Sequence, residues 1–245
     1  MTDTGEQQPP PSAPPPAAPP PPPGSSEPAP PQGNPWERRA ALGTVEGFVQ
    51  ALKLFATSPS EAFAQTFKKG DYGSPLLFAI VVGWIGIIIS QIWETLMGAS
   101  ILSMMPPEMR SYVPFVPGSA AGFLVSVIFG PVYIIIGLFI GSAIMHLCMI
   151  IVGGLEKSPA GFEGTFRVVS YSMVAQLANL IPILGGLLSV VWSLVLVIIG
   201  LQKLHDTSTG KAVAAVLIPA VLCCVCVGIA FMFFGVGMMA MFANQ

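Results

Sequence analysis

Residues 201–213, "LQKLHDTSTGKAV", place His205, Asp206, Ser208, Thr209 and Lys211 between two long apolar runs. A histidine beside an aspartate suits proton transfer, and Gly210-Lys211 beside hydroxyl residues suits a phosphate cradle. The cradle fails on spacing. A phosphate loop needs a glycine five positions before Gly-Lys and a Ser or Thr directly after it. Here position 205 is histidine and Lys211 is followed by Ala212. No G-x-S-x-G occurs, and the two histidines lie far apart in sequence. No catalytic residue, cofactor or metal ligand is therefore assigned, and the chain is not expected to be an enzyme. "CCVC", with Cys223, Cys224 and Cys226, lies about halfway along an apolar run, as Cys148 lies within another. Cysteines so placed act as small hydrophobes.

Polar groups inside apolar runs are the other candidates, because each is costly in lipid. Glu94 ends the first run, beside Gln91 and Trp93, and His146 lies near the end of the second. Ser172, Gln176 and Asn179 fall at i, i+4 and i+7, on one helical face. That stripe could line a path or bond helices together. With no buried Arg, Lys or Asp expected, bonding is the favoured reading.

The elements that must carry these residues are membrane helices. Of 245 residues, 53% are hydrophobic and 9% charged, far below the share of charge in a soluble domain. The first long apolar run starts near Pro75, so no cleavable leader is expected. The runs cover about 75–97, 119–152, 168–201 and 212–242. A continuous helix over 119–152 or 168–201 would greatly exceed the bilayer core of about 30 Å. Each contains a proline, Pro131 or Pro182.

Charge decides how they cross. If 119–152 is one kinked helix and 168–201 a hairpin turning in "NLIPILGG", nine of the ten basic residues share one side, and only Arg110 does not. The positive-inside rule favours that arrangement. The expected fold is all-α: a polytopic bundle of five transmembrane helices, at about 75–97, 119–152, 165–182, 184–202 and 212–242. The N-terminus is then cytoplasmic and the C-terminus outside. Small residues Gly122, Ser126 and Gly130, then Gly137 and Gly141, would let a neighbouring helix approach span two closely.

Two segments precede the bundle. Residues 1–35 hold fifteen prolines and no basic residue, a composition that forms no packed core and reads as a disordered cytoplasmic tail. Residues 36–70 read as amphipathic interfacial helices. Val45, Phe48, Val49, Leu52 and Phe55 share one face and Phe63 and Phe67 another, flanked by Arg38, Arg39, Lys53, Lys68 and Lys69 for anionic headgroups. "SPSE" at 58–61 reads as a capping box, with Ser58 as cap and Glu61 reaching back. In the connector, Lys203 and Lys211 hold the chain at the cytoplasmic side, and Asp206, Thr207 or Ser208 can cap the last span.

The run 164–219, "GTFRVVSYSMVAQLANLIPILGGLLSVVWSLVLVIIGLQKLHDTSTGKAVAAVLIP", resembles the Yip family of Rab-GTPase-interacting integral membrane proteins, in its bacterial branch. "SPSEAFAQTF" and "GDYGSPLLFAIVVGWIG" resemble that family's entry into its first span, and His205, Ser208, Thr209 and Lys211 its connector. The resemblance covers about residues 40–240. It implies five spans, a cytoplasmic N-terminus and no enzymatic activity. Eukaryotic members bind Rab GTPases, which a bacterial host lacks.

The expected function is a non-catalytic scaffold or membrane-organising adaptor in the bacterial inner membrane; the alternative is a small channel or transporter. The expected partners are the lipid bilayer, a protein at the cytoplasmic tail or connector, and a second copy of the chain. A net charge of −2 suggests no nucleic acid.

Overall fold

A computed structural model describes residues 33–104, 106–107 and 119–243. Residues 1–32 of the predicted tail, Arg110 and most of its loop lie outside the described residues. The elements are α1 Arg39–Leu42, α2 Thr44–Thr57, α3 Pro59–Gln65, α4 Gly73–Met104, α5 Ala120–Ile151, α6 Gly161–Ser172, a 3-10 segment Met173–Leu180, α7 Gly185–His205 and α8 Thr209–Ala243.

Four of these are long and apolar enough to cross a membrane: α4 over Gly73–Gly98, α5, α7, and α8 over Thr209–Phe233. The expectation of five transmembrane helices is corrected to four. The predicted helix over 165–182 is instead α6 continued by the 3-10 segment. Its composition explains why. Residues 161–172 include Glu163, Thr165, Arg167, Ser170 and Ser172, which need protein partners rather than lipid, and most of the helix is buried. Ser172 Oγ donates to the Val168 carbonyl at 2.7 Å just where the α-helix gives way. Such back-bonding loosens the regular helix.

α6 and the 3-10 segment nevertheless run antiparallel to α7. At one end Gly164 faces His205, and at the other Gly185 faces Ala178 and Asn179. The turn between them uses Ile183 at φ 67°, a left-handed conformation unusual for a β-branched residue. The glycines after Pro182 do not supply the positive φ. They open α7, and a Cβ on Gly185 would lie 2.5 Å from the Ala178 carbonyl oxygen. Gly185 therefore permits close packing, and the bend rests on Ile183.

The 119–152 run forms one helix, α5, capped by Ser119, whose Oγ accepts from Gly122 N–H at 3.1 Å. Pro131 lacks the N–H that would bond the Val127 carbonyl. Trp84 of α4 supplies a substitute: its indole Nε1 donates to Val127 O at 2.9 Å. Gly130 makes room, since a Cβ there would meet the Trp84 ring at 3.1 Å. Gly137 and Gly141 face open space instead, so the expected close helix contact there is not made within this chain.

α1–α3 form a cap on one end of the bundle. Asn34 starts it as an Asx turn, its side-chain oxygen accepting from Trp36 and Glu37 N–H at 3.0 and 3.2 Å. Asn34 is fully buried, so residues 33–35 belong to the fold rather than to a disordered tail. Phe55 of α2 stacks on Tyr171 of α6, with ring centroids 4.9 Å apart, and packs against Phe63 and Phe78. The amphipathic face thus divides. Gly47, Ala51 and Phe55 are buried, Phe48 and Leu52 pack against the same core, and Val45 and Val49 stay exposed. The bundle offers α2 an apolar surface, so the aromatic half of the face packs on protein. The capping box is not formed: Ser58 makes no side-chain cap bond, and Glu61 accepts from Gln65 instead.

Gly185→Ala should lower stability by about 1–3 kcal/mol through the clash with Ala178. Gly186→Ala, whose new Cβ meets nothing within 4 Å, should be near neutral. Thermal melting of both variants in detergent compares them directly.

Candidate functional site

The connector meets the α5–α6 loop at the end of the bundle that carries the cap. His205 closes α7, and Asp206, at φ 50°, ends that helix in the left-handed conformation. Asp206 then forms an ion pair with Lys68 behind α3. Ser208 caps α8, accepting weakly from Lys211 N–H at 3.4 Å. Lys211 Nζ reaches across to the Gly153 carbonyl at 2.7 Å and lies 3.6 Å from Glu156. These groups line a shallow cavity of about 220 Å³ with Lys157 and Thr207. Its two lysines face two carboxylates, so it carries no strong field of either sign.

His205 is not presented to that cavity. It is fully buried, and both ring nitrogens are engaged. Ser158 Oγ lies 2.6 Å from Nδ1, and Thr165 Oγ1 lies 3.0 Å from Nε2. Thr165 Oγ1 is also 2.9 Å from Nδ1 of His146. The chain's two histidines, far apart in sequence, therefore meet through one threonine hydroxyl. A hydroxyl can donate once and still accept, so Thr165 can donate to one ring and accept from the other. The chain Ser158–His205–Thr165–His146 joins the α5–α6 loop, α7, α6 and α5. No carboxylate orients His205 among the described residues, because Asp206 turns to Lys68. Its nearest partners make it a structural junction. The His205 ring is not exposed at the connector surface.

A second polar cluster joins cap to bundle. Arg167 is 1% exposed and Glu37 2%. Nη1 of Arg167 donates to Glu37 Oε1, and Nη2 donates to Glu163 Oε1 and the Asp71 carbonyl, each at 2.8 Å. Glu163 and Arg167 are one turn apart on α6. Glu37 gathers more donors: Tyr171 Oη at 3.1 Å, Phe67 N–H at 3.0 Å and Asn34 N–H at 3.1 Å. Burial pushes the Glu37 carboxyl above its ordinary range, against the lowering pull of the Phe67 N–H and Arg167. The sequence expectation counts Arg167 only among the nine basic residues on one side and assigns Glu37 no role. The i, i+4 spacing of Glu163 and Arg167 at the mouth of an apolar run was the available signal.

The predicted intramembrane residues separate. Ser172 bonds within its own helix, and Asn179 Nδ2 donates to Gln176 Oε1 at 2.9 Å. The stripe's side-chain bonds thus stay within α6 and the 3-10 segment. The bond across helices comes from Trp93, whose indole donates to the Asn179 carbonyl at 3.1 Å. Glu94 is exposed and accepts from Gln91 at 2.9 Å. Among the described residues no group of three His, Cys, Asp or Glu side chains could hold a metal.

Two variants test these clusters. Thr165→Val removes the hydroxyl between the histidines and should cost about 1–3 kcal/mol, the usual penalty for buried groups left unpaired. Thr165→Ser should retain most of the stability, as melting would record. Arg167→Leu strands a buried carboxylate and should cost about 3–5 kcal/mol near neutral pH. A carboxyl with a raised folded-state pKa contributes stability below its unfolded value and loses it as pH rises through the folded value. The Arg167→Leu deficit should therefore shrink as pH falls from neutral toward the ordinary carboxylate range, as Glu37 takes up a proton. A deficit independent of pH would place the cost elsewhere.

Neither a curated protein nor a solved structure matches the chain. A family model described as the Yip1 domain matches residues 52–241, which take in α3, the four candidate spans, both histidines and Arg167. The chain belongs to the Yip1 domain family.

Proposed function

We propose that this protein is a non-catalytic scaffold, or membrane-organising adaptor, that presents a fixed protein platform at one membrane surface. The observation that carries the reading is the buried Arg167–Glu37 pair, with Glu163 and Tyr171, which anchors the cap to the bundle. A cap held by a desolvated pair and four packed aromatic rings keeps a constant surface for a partner. Lys53, Thr57 and Glu156 are exposed on that end, and Val45 and Val49 leave an apolar edge for the bilayer or a partner.

The conduit reading draws support from Gln176, which lines a cavity within the bundle. Against it stands the packing between that cavity and the histidine junction. Ala79, Ile134, Leu138 and Phe166 form a buried apolar cluster there, and such a layer offers no partner to a desolvated ion.

Lys68 and Lys211 meet the connector and loop at the same end, which supports a cytoplasmic cap. The likeness of residues 164–219 to bacterial members supports a bacterial inner membrane. The tail and connector remain the proposed protein-binding segments, and a homo-oligomer the proposed assembly.

Photo-cross-linkers at positions 53, 57 and 156, activated in native membranes, should capture discrete protein adducts. The purified chain in proteoliposomes should pass neither ions nor small solutes. Measurable flux, with only lipid captured from the cap, would overturn the scaffold reading.

A further inference from the structure

The cavity beside Gln176 is polar, uncharged and at membrane depth. It measures about 240 Å³ and lies between α4, α5 and the 3-10 segment. Gly86 and Ile87 line it, and Ser90, Gln91, Ser126, Tyr133 and Gln176 supply its polar groups. Gly86 lies at the middle of the Gly73–Gly98 span. It is glycine for a reason of space: a Cβ there would lie 2.8 Å from Cβ of Gln176. On α5, Trp84 bonds the Val127 carbonyl beside Pro131, next to the wall that Ser126 and Tyr133 supply.

Inside a bilayer each polar group without a partner is costly. Gln91 uses its amide N–H on Glu94, and Gln176 uses its amide oxygen on Asn179. That leaves the Gln91 oxygen, the Gln176 N–H group and three hydroxyls without a hydrogen bond to another described group. The set has both donors and acceptors. It has no cation to neutralise a phosphate and no carboxylate to meet an amine. Tyr133, at 59% exposed, stands at the mouth on the outer surface of the bundle. The cavity therefore opens sideways, toward acyl chains.

From this we infer that the cavity is a lateral binding site for an uncharged glycerolipid with a free hydroxyl, of the diacylglycerol class. Three features select that chemistry. A free hydroxyl can donate to the Gln91 oxygen while accepting from a serine. Ester carbonyls accept from the Tyr133 hydroxyl and the Gln176 N–H group. The apolar tails leave through the mouth onto lipid-facing residues such as Phe129 and Val132, both exposed. A phospholipid headgroup is disfavoured, because burying its phosphate without a countercharge costs far more than the polar lining returns. The inference does not rest on the scaffold reading: a lipid-binding pocket could serve a scaffold or a conduit equally.

The test uses the full chain in phosphatidylcholine nanodiscs carrying a small share of photoactivatable diacylglycerol, with photoactivatable phosphatidylcholine as the parallel probe. Peptide mapping should place the diacylglycerol adducts on residues 86–91 and 126–133. Unlabelled diacylglycerol should compete, and the phosphatidylcholine probe should label the lipid-facing helices without preference. Ser90→Leu and Ser126→Leu fill the cavity from two walls. Each should reduce site labelling about tenfold, the loss that roughly one good polar contact confers. Melting on the same samples reports folding, and a variant that melts normally is the informative one. If one variant misfolds, the other and the competition experiment still decide. Diffuse diacylglycerol labelling, equal labelling by the two probes, or unchanged labelling in a folded filled variant would overturn the site and leave water as its occupant.

Discussion

A buried guanidinium determines how this chain is put together. Arg167 sits on α6, surrounded by protein, and an uncompensated charge there would be prohibitive. It binds Glu163 on its own helix, Glu37 in the cap and the Asp71 carbonyl before α4. Three stretches of sequence must converge to satisfy it. The aromatic packing of Phe55, Phe63, Phe78 and Tyr171 follows from that convergence and seals the pair from water. The charge contributes little net stability by itself, since desolvation offsets attraction. What it enforces is arrangement: a cap shifted from this position would leave Glu37 or Arg167 buried alone.

The same rule operates on neutral groups. In lipid, backbone and side-chain polar atoms must be paired internally. Pro131 leaves a carbonyl free, and Trp84 bonds it. The close of the 3-10 segment exposes the Asn179 carbonyl, and Trp93 bonds it. Two indoles of α4 thus complete the hydrogen bonding of two irregular neighbours. The histidines follow the same logic at the connector end, where a single threonine serves both rings. Irregular backbone and buried polar side chains are concentrated at the contacts of α4, α5 and α6, and the lipid-facing surface is left to aliphatic and aromatic residues.

Function follows from which polar groups are paired. The histidine junction and the Arg167 cluster are internally matched, and they hold elements in place. The lateral cavity differs from both. Its serines, tyrosine and glutamines keep donors and acceptors that no described group engages. The apolar layer of Ile134, Leu138 and Phe166 separates it from the connector, so the two ends of the bundle have different chemistry.

Much was legible in the sequence because it depends on composition and local spacing. Long apolar runs with few charges can only be membrane helices, so the all-helical bundle and its family were readable from residue order alone. Pro131 inside one continuous helix and the turn near Pro182 were local features too. The pairings depended on contacts between distant segments, which periodicity does not report. Arg167 counted only as one of nine basic residues on one side, because charge beside an apolar run is usually interfacial; its partner lies 130 residues away. His146 and His205 looked unrelated for the same reason. The predicted third span lacked the apolar continuity of its neighbours, and only burial against α4, α5 and α7 allows so polar a helix at that position. α2 shows the limit most plainly. Its expected apolar face divides, because a helix face does not specify whether lipid or protein will cover it. That choice was made by the surface the folded bundle offered, where Tyr171 and Phe78 could stack on Phe55.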